Sequence, residues 1–133
     1  MTASRLAVLA AGVAVVAWGL KAVAIGTAGG LDQSPLEGPL YVVGLVSIVV
    51  AFAALGVAVA ADRSVTFKVL GAVVGVLAGF GLSMLASVIA ASVIPDSAGW
   101  IQAEAGLWVS ALLALGISLF WHRRRGAVSL TRE

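Results

Sequence analysis

The sequence predicts an all-α polytopic membrane protein, a bundle of four transmembrane helices. Three observations carry this. Four apolar stretches approach or exceed the length of a membrane span, and the charged residues fall mostly at their ends. The composition, 62% hydrophobic and 11% charged, lies far from the roughly 25% charged residues of soluble domains. A chain of 133 residues is one domain on size, and a soluble domain that small has too little interior to hide so much apolar surface. With a mean hydropathy of +1.14, the solvent for most of this chain is expected to be lipid.

The first span covers about residues 6–25, directly after Arg5. The second covers about 40–61 and begins behind Pro39. The third, about 69–94, is stopped by Pro95 and at about 26 residues is long enough to tilt or protrude. The fourth covers about 102–121, starts between Trp100 and Ala105, and closes on Trp121 ahead of a short basic tail, 122–133. Backbone polar groups in hydrocarbon must be paired within the segment, which predicts helices. The alternation of period two that barrel strands require is absent from the sequence.

Charge predicts the orientation. The segment 27–39 carries Asp32 and Glu37 without a base, and 95–104 carries Asp96 and Glu104 without one. Seven of the eight basic residues, Arg5, Arg63, Lys68, Arg123, Arg124, Arg125 and Arg132, lie at the opposite ends of the spans. By the positive-inside rule both termini are expected in the cytoplasm. The pI near 9.7 reflects these end charges and not a nucleic-acid-binding surface. Tyr41 and Trp100 at one boundary and Trp121 at the other fit an aromatic belt. A cleaved signal peptide over residues 1–24 is the competing interpretation, and Lys21 inside the would-be cleavage region argues against it. The Ala, Val, Gly and Leu bias suits a high-GC bacterial genome, so the expected location is a bacterial plasma membrane.

The two halves resemble each other. Glu37-Gly-Pro-Leu-Tyr41-Val42 aligns with Glu104-Ala-Gly-Leu-Trp108-Val109, and Trp18-Gly19-Leu20-Lys21 aligns with Phe80-Gly81-Leu82-Ser83. A duplication would give parallel repeats about an axis along the membrane normal. Chance similarity within apolar sequence is the alternative.

Three groups of residues stand out. Gly71, Gly75, Gly79, Ser83, Ser87 and Ala91 recur every four residues, forming a shallow groove of small side chains against which another helix can pack closely. That helix is either a sister in the same chain or part of an oligomer. Lys21 is the one clear ionisable residue inside an apolar span, where an unpaired cation costs roughly 2.5–3.5 kcal/mol on insertion scales. Matched depth predicts an ion pair with Glu104, or with Glu37 as second candidate, in a polar cluster with Trp18, Trp108 and Tyr41. Snorkelling of the ammonium to the headgroups is the plainer alternative. Arg123, Arg124 and Arg125 suit anchoring to anionic lipid or a partner contact, at about 1 kcal/mol per residue.

No catalytic constellation is legible. Cys is absent, which excludes disulfides and thiolate metal sites, and His122 abuts three arginines, a poor place for a metal ligand. No Walker loop, HExxH or GxSxG is found. In size and span count the chain is similar to small multidrug-resistance exporters. Those carry a coupling glutamate in the first helix, where this chain has only Lys21. Helical enzymes resembling vitamin K epoxide reductase need cysteines that are missing here. The expectation is a non-enzymatic membrane protein without cofactor: an accessory, assembly or scaffolding subunit, as a homo-oligomer or among other membrane subunits. A small oligomeric transporter or channel built on Lys21, Glu104 and Glu37 is the alternative.

Overall fold

The computed structural model describes residues 1–132 and is all-helical apart from its turns. Four long helices form: α1 (Ala3–Ala28), α2 (Glu37–Val59), α3 (Val65–Val93) and α4 (Trp100–Leu130), with a short 3-10 turn, Asp96–Ala98, before the last. All four are long and apolar enough to cross a membrane. At about 1.5 Å per residue they measure about 35 to 46 Å, against about 30 Å of hydrocarbon.

Local chemistry sets the ends. Thr2 caps α1 by accepting the Arg5 N–H through its hydroxyl at 3.4 Å. Gly29 (φ 91°) and Gly30 (φ 140°) close the helix in a positive-φ conformation that side chains disfavour, both donating N–H to the Ile25 carbonyl. Pro39 sits in the first turn of α2, where a missing N–H costs nothing. Ile94, preceding Pro95, is extended and ends α3. The α3 carbonyls left open there are met by Gln102, whose amide nitrogen lies 3.0 Å from Ile94 O and 3.3 Å from Ala91 O.

Every helix begins before the span expected from hydropathy, because the helix starts in its polar cap; α1 and α4 also end beyond it, whereas α2 stops two residues and α3 one residue short of the expected ends. The largest departure is at the C-terminus. Residues 122–130, expected as part of a separate tail, continue α4 to Leu130. Three arginines, Ala127 and Leu130 favour continuation, and Gly126 opposes it most, with His122, Val128 and Ser129 weaker helix formers.

The helices form a ring in chain order, each packed on its two neighbours. α2 and α4 also touch across the centre, whereas α1 and α3 do not. The core is made of Ala10, Ala11, Ala14 and Trp18 of α1, Ile48, Ala51 and Phe52 of α2, and Ala111 and Ala114 of α4. Outside it, Val13, Val16, Val23, Leu77, Met84 and Val88 are exposed, a surface that lipid and not water would cover.

The small-residue row on α3 packs within the chain. A Cβ on Gly71 would strike the Gly56 backbone of α2, one on Gly75 the Phe52 carbonyl, and one on Gly79 the Phe52 ring. Further along, Gly106 of α4 leaves the space that the Ser87 side chain occupies. Ser87 donates its hydroxyl to the Ser83 carbonyl at 2.9 Å. Close backbone approach of this kind replaces the hydrophobic effect, which lipid does not supply.

Candidate functional site

Lys21 and Glu104 face each other between α1 and α4. Lys21 Nζ lies 2.5 Å from Glu104 Oε2, and the two residues are only 6% and 7% exposed. Lys21 is seven residues from the end of α1, about 10 Å, and Glu104 four residues into α4, about 6 Å. Their depths overlap, and the antiparallel arrangement of the two helices brings them together. Lys21 therefore does not snorkel: its ammonium is held inside the bundle.

Aromatic groups surround the pair. The Tyr41 ring centroid is 5.7 Å from Lys21 Nζ, within cation–π range. Trp18, one turn below Lys21, lies over Gly44 of α2, where any Cβ would collide with the indole. From there its N–H donates to the Tyr41 carbonyl at 3.3 Å. Trp100 and Trp108 stand one turn to either side of Glu104 along α4, with ring centroids 6.2 Å apart and planes at 87°. The Trp108 indole N–H is buried without a hydrogen-bond partner among the described residues. Trp18 and Trp108 border a common apolar gap of about 320 Å³ with Val15, Ala22 and Leu112.

Glu37 stands apart. Glu37 is buried, but it accepts the Ser34 N–H at 3.3 Å and takes no part in an ion pair among the described residues. Ser83 of α3, the residue that the alignment of the two halves sets against Lys21, carries no charge.

The three consecutive arginines divide. Arg123 is exposed. Arg124 stacks on Phe120 at 4.6 Å. Arg125 lies 5.7 Å from the Trp121 ring and donates to the Ala58 carbonyl, tying the end of α4 to the end of α2. His122 Nδ1 is 3.1 Å from the Ser4 hydroxyl, joining α1 to α4 at the same end. Sequence reasoning missed the contacts of Gln102, Ser4 and His122. Ser4 and Gln102 are polar residues in the first turn of their helices and His122 lies just past the apolar stretch of α4, but nothing in a linear pattern says which neighbouring helix each meets.

Comparison with protein-family models, curated proteins and solved structures gives no match. The chemistry available must be judged from these residues alone. A buried, mutually neutralised Lys–Glu pair is a lock between helices. Removing one partner leaves an uncompensated charge, which typically costs 3–5 kcal/mol.

Proposed function

We propose that this chain is a non-catalytic integral membrane subunit, an accessory or scaffolding component of a homo-oligomer or larger complex in a bacterial plasma membrane. The observation that carries this reading is the Lys21–Glu104 pair. The only clear cation within a span is satisfied inside the chain, so it serves the bundle and not a cargo. The exposed apolar side of α3 supports it further, as surface available to another membrane helix. Extraction from the native membrane in mild detergent is expected to yield a species of more than one subunit, with a stoichiometric partner or a second copy. A clean monomer with none would sink the reading.

The charge asymmetry supports cytoplasmic termini. Cysteines at Gln33→Cys and Ser97→Cys should react with an impermeant thiol reagent from outside, and Ser64→Cys should not. The reverse labelling would overturn the orientation.

A transporter or channel is the second reading. It is favoured by a cavity of about 350 Å³ bordered by Trp18, Tyr41, Ser83, Ser87 and Ser110, two of which also adjoin Lys21 or its pair. A flux in proteoliposomes that Lys21→Met abolishes and Lys68→Met spares would put it first.

A further inference from the structure

The helical extension of α4 builds a pocket that a flexible tail would not. Trp121, Arg124, Arg125, Val128 and Ser129 recur at helical spacing on one face of α4, Arg132 follows in the turn after Leu130, and Asp62 from the α2–α3 turn lies opposite; together they line a cavity of about 630 Å³. That volume is in the range of pockets that hold small ligands, about 300–1,000 Å³.

Its chemistry is one-sided. Three guanidinium groups against one carboxylate leave a net +2, and no arginine is ion-paired to Asp62 among the described residues. The Trp121 indole N–H is buried and has no acceptor among the described residues, so the donors open to a ligand are the arginines. The Ser129 hydroxyl is already spent on the Gly126 carbonyl at 2.8 Å. The site is thus rich in donors and short of acceptors. Two of the guanidinium groups are held in place, Arg124 by stacking on Phe120 and Arg125 by Trp121 and the Ala58 carbonyl. Fixed guanidinium forks pair bidentately with carboxylate and phosphate alike, and a phosphate offers more acceptor oxygens for several of them to share.

Position selects the phosphate's source. The pocket lies where α2 ends and α3 begins, at the end of the spans that also bears Arg5, Arg63 and Lys68. For helices of this length, that is the level of lipid headgroups. We propose that this pocket binds the phosphate of an anionic phospholipid headgroup, with Arg124, Arg125 and Arg132 as its donors. The proposal rests on the membrane placement of the spans and not on the subunit reading, so either can fail while the other stands.

Arg123 supplies the control: it neighbours Arg124 on the same helix and carries the same charge, but does not line the pocket. Arg125 is left intact because its bond to Ala58 joins two helices. The full chain in mild detergent is titrated with phosphatidylglycerol or phosphatidylcholine, and bound lipid is counted by native mass spectrometry. Phosphatidylglycerol is expected to bind the more tightly. Arg124→Gln and Arg132→Gln should each weaken it roughly tenfold, the loss of a charged hydrogen bond, with thermal unfolding unchanged. Arg123→Gln should weaken it less than about twofold if the pocket, and not general surface charge, does the binding. Equal losses for Arg123→Gln and Arg124→Gln, or equal retention of the two lipids, would overturn the pocket. Displacement of phosphatidylglycerol by inorganic phosphate would overturn the assignment to lipid.

Discussion

α1 and α3 stand at opposite corners of the same ring, yet they are held there by different means. In the most apolar part of α1, 44% of residues are buried; in α3 the figure is 11%. α1 is fixed by individual side chains: Trp18 lodged over Gly44 and bonded to the Tyr41 carbonyl, and Lys21 paired with Glu104. α3 is fixed by missing side chains, its glycines lying against the α2 backbone while its outer face meets the surroundings. Lipid weakens the hydrophobic drive between helices, so a helix needs either a specific polar or shape lock or a close backbone approach. This bundle uses one on each side.

The largest effects should come from the α1 lock. Lys21→Met or Glu104→Gln alone is expected to lower stability by about 3–5 kcal/mol, because each strands a buried charge or polar group. The double variant should lose less than the sum, and coupling near zero in a double-mutant cycle of thermal or denaturant unfolding would dissolve the contrast. On the α3 side, Gly75→Leu should cost about 1–3 kcal/mol or more, since its side chain would be driven into the Phe52 carbonyl and Gly56. Val74→Leu, at a neighbouring exposed position, should change little. If both variants unfold alike, the glycine row is compositional and the comparison fails.

Smaller effects sharpen it. Trp18→Phe keeps the ring over Gly44 but removes the bond to Tyr41, for about 0.5–1.5 kcal/mol. Leu77→Ala, on the exposed face of α3, should stay within about 0.5 kcal/mol for the isolated chain in detergent. A large loss there, seen only in the native membrane, would instead mark that face as a contact with another helix and strengthen the subunit reading.

The candidate site was legible in part. Lys21 was conspicuous because it is a cation in an apolar run, and depth along the helices narrowed its partners to two carboxylates. Depth does not distinguish Glu104 from Glu37, because that choice depends on which neighbour α1 turns its Lys21 face toward. The glycine row was legible as a groove, but its occupant was not. The arginines were legible as a charge cluster, but that Arg124 and Arg125 line a pocket, Arg125 also tying two helices, while Arg123 does neither, was not.

What the sequence by itself determined is the number of spans, their helical state and the side of the bundle at which each charge lies. These are local properties: in hydrocarbon each segment must satisfy its own backbone whatever its neighbours do, so roughly 20 apolar residues suffice to define a helix. Only the tertiary structure decided which faces meet: Lys21 with Glu104, Gly71 with Gly56, and Arg125 with the end of α2. The physical reason is that these helices are apolar on every side. In water a polar face would announce the outside, but here rotation about each axis is set by the fit of Trp18 over Gly44, glycine against backbone, and one buried charge against another.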